Sequence, residues 1–286
     1  PRSVKDMQQA EAITHAAVLG SGTMGHGIAQ VLALAGITTR VYDVQSAALD
    51  QARTKVKANL EQGVEKGKVS ATARDAALAG LGFTTDLDSA LAGVELVIEA
   101  VPEKLELKRT LFARLGALAP EVLLATNTSS LSITKIAAAA AHPERVVGMH
   151  FFNPVHLMKL LELVRGLETS EATLATLRQV GVRMGKEVVL VNEAPGFVTS
   201  RINALIGNEA FRMLQEGVAS APDIDKALKL GLNHPMGPFE MADLVGLDVR
   251  LSILEFLHKS LGEAFRPNTL LVQHVKAGRL GRKVGR

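Results

Sequence analysis

The feature that most limits how this chain can fold is a glycine pattern directly after its first apolar segment. Residues 20–25 read GSGTMG, between the apolar run 13–19 and a stretch with helical spacing. In such a strand-turn-helix the first glycine permits the tight turn, the second lets the backbone approach a ligand, and the third lets helix and strand pack. The helix start offers free amide groups, so the loop is a candidate pyrophosphate site. Its predicted contacts are Gly20, Gly22, Thr23, Met24 and Gly25.

A carboxylate stands at the end of the second predicted strand. In a dinucleotide-binding fold the adenosine ribose lies at this strand end. Asp43 follows the run 39–42 and stands 18 residues beyond Gly25. An acid at this place accepts hydrogen bonds from ribose hydroxyls and repels a 2′-phosphate. The sequence therefore predicts NAD rather than NADP as the cofactor. A glycine turn that binds no ligand is the alternative, and FAD also remains open in principle.

Short apolar segments bounded by glycine, asparagine or proline predict a set of buried strands. They cover residues 13–19, 39–42, 94–100, 122–125, 146–149, 160–164 and 187–191. Stretches of helical spacing lie between most of them, for example 24–35, 47–63 and 104–118. This alternation predicts a doubly wound α/β domain with a parallel sheet.

After residues 193–196, which read EAPG, the apolar spacing becomes helical over residues 197–215, 223–230 and 249–261. Proline and glycine at this point are typical of a hinge or a helix start. We therefore predict a Rossmann-type domain over residues 1–192 and a smaller all-helical domain over residues 193–286.

Composition excludes several functional classes. The chain has no cysteine, so disulfides and thiolate metal sites are excluded, and we expect no metal. No apolar run approaches the roughly 20 residues of a membrane span. The net charge of +3 comes with only 3% aromatic residues and no concentrated basic face, which favours a small phosphorylated ligand over nucleic acid. Residues 1–12 lack the features of a signal peptide, so we expect a cytoplasmic protein.

Three polar groups near later strands are candidates for chemistry. Residues 126–130 (TNTSS) and 150–154 (HFFNP) each follow a predicted strand, and Glu162 interrupts an apolar one. Ligands of doubly wound sheets bind at the carboxyl ends of the strands. His150 could accept the proton of an alcohol while hydride leaves the same carbon, with Glu162 orienting the ring. A core or surface histidine, a solvent-facing glutamate and, for Ser129, a helix cap remain as alternatives.

Longer strings carry a family resemblance. Residues 127–133 (NTSSLSI), 148–154 (GMHFFNP), 195–197 (PGF) and 234–240 (HPMGPFE) resemble the L-3-hydroxyacyl-CoA dehydrogenases, from residue 13 to the end of the chain. The chain length and residues 266–270 (RPNTL) are most similar to the bacterial 3-hydroxybutyryl-CoA branch. The resemblance implies NAD-dependent oxidation of a short (S)-3-hydroxyacyl-CoA to the 3-oxoacyl-CoA, in a homodimer that contacts through its C-terminal helices.

The resemblance also implies roles for particular residues. His150 would be the general base, Glu162 its partner, and Ser129 a hydroxyl that contacts the reacting oxygen. Further contacts with the cofactor are implied at Glu103, Lys108, Asn127, Ser129, Asn153 and Lys283. For Glu103 and Lys108 the alternative is the cap and solvated face of a helix.

Coenzyme A contacts are implied on a helical arm that we predict from Ala47 to Lys68, at Asn59 and Lys66. The lysines of this arm could equally be solvated.

One position departs from the family pattern. An asparagine usually precedes the arginine that follows the PGF segment, whereas here Ser200 precedes Arg201. That asparagine helps to hold the substrate carbonyl, so Ser200 either replaces it with a shorter hydroxyl, directly or through water, or alters rate and chain-length preference. Two rival functions remain: a dehydrogenase of a free hydroxy or sugar acid, and a non-catalytic dinucleotide-binding structural protein.

Overall fold

A computed structural model describes residue 11, residues 13–118 and residues 120–285. The residue contacts divide the chain into a first unit, Pro1–Glu193, and a second unit, Ala194–Arg286. This division falls one residue beyond the boundary placed from the sequence. The expected absence of a signal segment in residues 1–12 lies outside the described residues, apart from residue 11.

The first unit is built on one eight-stranded sheet with the order β3-β2-β1-β4-β5-β6-β7-β8. The strands are β1 His15–Leu19, β2 Thr38–Tyr42, β3 Leu81–Thr84, β4 Leu96–Glu99, β5 Leu123–Thr126, β6 Val146–Phe151, β7 Leu160–Arg165 and β8 Glu187–Asn192. The first six have the order of a dinucleotide-binding sheet, with the reversal of strand order beside β1.

Helices cover both faces of this sheet. They are α1 Gly25–Leu34, α2 Ser46–Glu65, α3 Ala71–Ala79, α4 Leu87–Leu91, α5 Leu105–Leu115, α6 Ile133–Ala137 and α7 Glu171–Arg183, with a 3₁₀ turn Pro143–Arg145. Successive strand residues point to opposite faces: Ala16 and Val18 pack in one buried cluster, and Ala17 and Leu19 in another. Both faces of β1 are therefore buried, and the predicted doubly wound α/β architecture is confirmed.

Three details differ from the sequence prediction. The strand β3 was missed, because its four residues, LGFT, are short and only partly buried. The sheet is not wholly parallel, since β7 pairs antiparallel with β6 and β8 runs parallel to β7. The arm helix α2 ends at Glu65, so Lys66 caps it and Lys68 lies in the turn beyond it.

The described residues of the second unit form helices joined by turns and loops, with no strand, as predicted. Its helices are α8 Thr199–Gln215, α9 Ala221–Gly231, α10 Pro238–Val245, α11 Leu247–Leu261 and α12 Thr269–Lys276, with 3₁₀ turns Glu263–Phe265 and Arg282–Val284. Helices α10 and α12, which have only eight residues each, were not predicted from the sequence.

The HPMGPFE string of the second unit has a structural explanation. Buried Asp225 of α9 accepts hydrogen bonds from the backbone amides of Phe239 (2.8 Å) and Glu240 (3.0 Å), at the start of α10. A Cβ on Gly237 would lie 2.2 Å from the Asp225 carboxyl carbon. Only glycine fits at position 237. The string therefore holds the start of α10 against Asp225 of α9.

Candidate active site

The glycine loop between β1 and α1 has the backbone geometry that the glycine pattern predicts. Gly20 has a positive φ of 97°, and a Cβ on Gly25 would lie 1.7 Å from the Gly20 carbonyl oxygen. Side chains are excluded at both positions. A Cβ on Gly22 would meet nothing within 4 Å. The loop is therefore closed on its inner side and open at Gly22, where a ligand can approach the backbone.

The start of α1 is left available for an anion. No side chain caps this end through a hydrogen bond, and its first turn has no acidic residue. Asp43, at the end of β2, lies beside the loop, where its Oδ2 accepts from the backbone amide (2.9 Å) and hydroxyl (2.8 Å) of Ser21. The amide end of a helix and a neighbouring carboxylate suit the pyrophosphate and ribose of a dinucleotide.

His150 and Glu162 form a buried dyad. They are directly opposite each other in the antiparallel β6–β7 pair, so their side chains share one face of the sheet. His150 Nδ1 lies 2.7 Å from Glu162 Oε2, and the two residues are only 6% and 1% exposed. A carboxylate accepts, so Nδ1 carries the hydrogen and Nε2 is the basic nitrogen. The Phe152 ring lies 4.4 Å from the imidazole, centroid to centroid.

Ser129 lies in a loop after β5 that Glu103 holds. Glu103 Oε1 accepts from the Thr128 hydroxyl (2.5 Å) and from the backbone amides of Ser129 (2.9 Å) and Ser130 (3.3 Å). Asn127 Oδ1 accepts from the amide of Phe151 at 3.0 Å, which ties the same loop to the end of β6. The Ser129 loop and the His150 strand are therefore linked through Asn127.

A buried ion pair supports this loop, and its acid, Glu99, was not among the predicted site residues. Lys108 Nζ lies 2.6 Å from Glu99 Oε1 and 3.4 Å from Glu103 Oε2, and neither Lys108 nor Glu99 is exposed at all. Thr126 donates to the other oxygen of Glu99 at 2.6 Å. Burial raises the pKa of Glu99, and the charge and hydrogen bond of Lys108 oppose that rise. The solvated-helix alternative for Lys108 is therefore wrong.

The remaining predicted residues are spread over both units. In the first unit, Asn59 donates to Gln30 Oε1 at 3.2 Å, and Lys66 and Asn153 are exposed. In the second unit, Ser200 lies in the first turn of α8, and Lys283 pairs with Asp248 at 2.5 Å. The structure thus brings together Ser129, His150, Glu162, Glu103 and Lys108, together with Asn127, around the ends of β4, β5 and β6.

Two family models match almost the whole described chain. One is described as "3-hydroxyacyl-CoA dehydrogenase, NAD binding domain" and matches residues 15–194. The other is described as "3-hydroxyacyl-CoA dehydrogenase, C-terminal domain" and matches residues 196–286. The chain belongs to the 3-hydroxyacyl-CoA dehydrogenase family. It is therefore an NAD-dependent oxidoreductase that acts on 3-hydroxyacyl-CoA thioesters, and the predicted family and cofactor are confirmed.

Individual relatives agree with this family. A probable 3-hydroxybutyryl-CoA dehydrogenase of Bacillus subtilis is 45% identical over 94% of each chain. A 3-hydroxybutyryl-CoA dehydrogenase of Bradyrhizobium diazoefficiens is 44% identical over 97% of this chain and 95% of its own. The crystal structure of (S)-3-hydroxybutyryl-CoA dehydrogenase from Ralstonia eutropha superposes with a TM-score of 0.92 at 40% identity, covering 96% of this chain and 97% of that one.

Two further structural findings concern membranes and metals. None of the helices in the described residues combines the length and apolar character that crossing a membrane requires. Within the same residues, no group of three or more histidine and acidic side chains is placed to hold a metal ion.

Replacing Asp43 should weaken cofactor discrimination. The Asp43→Asn side chain keeps an oxygen for Ser21 but loses the charge that opposes a 2′-phosphate, so kcat/KM for NADH should fall about tenfold while that for NADPH holds or rises. Initial rates with each cofactor measure this ratio. Asp50→Asn, on the exposed face of α2, is the matched control. An equal loss with both cofactors would contradict the ribose role of Asp43.

Proposed function

We propose that this enzyme interconverts (S)-3-hydroxybutyryl-CoA and acetoacetyl-CoA with NAD. The observation that carries the proposal is the buried His150–Glu162 dyad, an imidazole whose basic nitrogen is fixed by a carboxylate. The short acyl chain comes from the names of the relatives in Bacillus subtilis, Bradyrhizobium diazoefficiens and Ralstonia eutropha.

In the oxidation, His150 Nε2 takes the proton of the 3-hydroxyl, and the C3–H electron pair leaves as hydride. NAD, when bound, accepts that hydride. Glu162 holds the imidazole through Nδ1 and stabilises the positive charge that the ring acquires. In the reverse direction the imidazolium returns the proton to the oxygen at C3. Burial of the dyad keeps water from competing for this proton.

The proposed substrate contacts are those of Ser129, Ser200, Asn59 and Lys66. The Ser129 hydroxyl donates to the oxygen at C3, positioned by the Glu103 carboxylate that holds its backbone amide. Ser200 takes the place of the family asparagine near the substrate carbonyl. Asn59 and Lys66 contact the coenzyme A portion of the thioester.

NAD is held by the glycine loop and Asp43, with further contacts from Glu103, Asn127, Asn153 and Lys283. The open space at Gly22 and the uncapped start of α1 suit the pyrophosphate, so these residues fit the cofactor. We propose that Lys108 acts indirectly, because its ammonium group is committed to Glu99 and reaches Glu103 at 3.4 Å.

A homodimer through the second unit is also part of the proposal. Its support is a set of exposed apolar side chains on these helices that association would remove from water. They include Ile202, Leu230, Leu232, Leu244 and Val249.

A cytoplasmic location and a place in fatty-acid β-oxidation complete the proposal. A 3-hydroxyacyl thioester is the product of hydrating an enoyl thioester, so that class of reaction would supply the substrate.

The deciding experiment is the initial rate of NADH oxidation with acetoacetyl-CoA, compared with free acetoacetate and with NADPH. We expect turnover with NADH and the thioester only. Turnover of the free acid at a similar kcat/KM would instead favour a hydroxy-acid dehydrogenase. Tight NADH binding without turnover of either compound would favour a non-catalytic protein.

A further inference from the structure

A histidine side chain contacts the open part of the glycine loop. The ring Nδ1 of His26 lies 2.7 Å from the carbonyl oxygen of Gly22, four residues earlier in the chain. Because a carbonyl only accepts, Nδ1 carries the hydrogen and donates it. His26 stands in the first turn of α1, directly after Gly25. The glycine pattern sets no requirement at this position, so the contact is a feature of this chain.

The two ends of the loop differ in how they are held. Ser21 is fixed to Asp43 through both its amide and its hydroxyl. Gly22 and Thr23, which follow it, are exposed. Among the described residues, the hydrogen bonds to these two positions come from His26 alone, through its ring and its backbone amide. The exposed half of the loop therefore depends on His26.

The ring of His26 makes the shorter of the two bonds. The backbone amide of His26 lies 3.2 Å from the Gly22 carbonyl oxygen, at the long end of the usual range for N–H···O bonds. The ring nitrogen lies 2.7 Å from the same oxygen. A carbonyl oxygen has two lone pairs, so both bonds form together. The side chain thus does most to fix the direction of this carbonyl.

The direction of the Gly22 carbonyl also sets the direction of the next amide. A peptide group is planar and trans, so its C=O and N–H point in opposite directions. Because the Gly22 carbonyl is held against the start of α1, the N–H of Thr23 points away from the helix, to the exposed side of the loop. None of the described residues accepts a hydrogen bond from that amide. Free amides at a helix start bind phosphate oxygens.

The charge state of His26 indicates which of its properties acts here. Burial lowers the pKa of His26, the hydrogen bond to Gly22 opposes that effect, and the charge of Lys55 lowers the pKa further. The ring is therefore mainly neutral at neutral pH, with its hydrogen on Nδ1. Protonation of the second nitrogen would leave the Nδ1–H donor in place. The donated hydrogen bond, not a positive charge, is the constant feature of this side chain.

We infer that His26 is a positioning residue for the pyrophosphate of NAD. Its ring holds the Gly22 carbonyl so that the Thr23 amide is directed to the phosphate oxygens. His26 acts through the backbone of the loop and not through its own charge. The inference rests on the proposed NAD contacts of the glycine loop, and it adds a side chain that is not among them.

The test compares His26→Ala with His26→Asn. Asparagine places an N–H donor near the position of Nδ1 without a charge, and alanine removes the donor. We expect the dissociation constant of NADH, measured by its fluorescence, to rise about three- to tenfold in His26→Ala and less than about twofold in His26→Asn. Helix propensity predicts the opposite order, because alanine is the better helix former. His274→Ala, in α12 of the second unit, is the control and should bind NADH normally.

Two further measurements separate a local role from general damage. Without NADH, hydrogen–deuterium exchange in peptides covering the glycine loop and the start of α1 should be faster in His26→Ala than in the unmodified protein or His26→Asn. In turnover by His26→Ala, the KM for NADH should rise with the dissociation constant, while the KM for acetoacetyl-CoA should change less than about twofold.

NADH binding by His26→Ala that equals that of the unmodified protein would overturn the inference. Binding by His26→Asn as weak as that by His26→Ala would also overturn it, because the charge or volume of the ring would then be what acts. Equal increases in both KM values would mean that the whole site is disturbed, against a role confined to the cofactor. Turnover of acetoacetyl-CoA by the unmodified protein is a separate result, so failure of the inference leaves the proposed function intact.

Discussion

His150→Gln is expected to lower kcat by about two to four powers of ten while leaving NADH affinity nearly unchanged. Glutamine has a similar reach and its amide can still donate to Glu162, so the buried carboxylate keeps a partner. What the variant loses is a nitrogen that can accept and return a proton. Initial rates with acetoacetyl-CoA give kcat, and titration of NADH fluorescence gives cofactor affinity.

His142→Gln is the matched control for this variant. His142 also has a carboxylate partner, since its Nδ1 lies 3.1 Å from Glu144 Oε1, but both side chains are exposed. We expect turnover close to that of the unmodified enzyme. If His150→Gln also retains turnover within a few-fold, His150 is not the base, whatever the dyad geometry suggests.

The glycine loop could be predicted from the sequence because its determinants are local. Turn, helix start and strand end all lie within residues 20–43, and backbone contacts inside that segment or with the residue after β4 require glycine at positions 20 and 25. Alternating apolar segments likewise predicted the architecture. The two eight-residue helices of the second unit were missed, although Pro238 and Glu240 form a helix-start signal that the sequence does contain.

The His150–Glu162 contact could not be derived from spacing alone. It depends on β7 running antiparallel to β6 in a register that sets these two residues opposite each other. A shift of one residue would turn Glu162 to the other face of the sheet. The two strands are joined by residues 152–159, and nothing in their composition fixes that register. Residue chemistry suggested the pair, family resemblance supported it, and the register supplies its physical basis.

The Glu99–Lys108 pair did leave a signal in the sequence. In α5 the residues that face the interior are Leu105, Lys108, Phe112 and Leu115, at the spacing of one helical face. Lysine at a buried position of such a face needs partners for its ammonium group, and a carboxylate is the strongest of them. Glu99 ends the apolar strand LVIE in the same way that Glu162 interrupts β7. A charged residue at an apolar position was the common indicator of both pairs.

Lys108→Met is expected to destabilise the first unit by about 3–5 kcal/mol, because removing one partner leaves a buried carboxylate uncompensated. The free energy of unfolding by urea measures this. Lys226→Met, on the exposed side of α9, should change it little. Glu99→Gln/Lys108→Met should be less destabilised than Lys108→Met alone, since the charge has been removed as well. Equal destabilisation by the single and double variants would mean that lost packing, not lost pairing, is the cause.

The pH dependence of the same variant gives an independent check. Burial already holds the pKa of Glu99 above its usual range, and loss of Lys108 should raise it further. A carboxyl group with a folded pKa above its unfolded pKa disfavours folding once pH exceeds the unfolded value, and this cost grows until the folded pKa is reached. The destabilisation caused by Lys108→Met should therefore be smaller at about pH 5 than at about pH 8.

The same variant should also affect catalysis. Because Lys108 also contacts Glu103, the Ser129 loop loses part of its support in Lys108→Met, and we expect the KM for the thioester to rise at neutral pH.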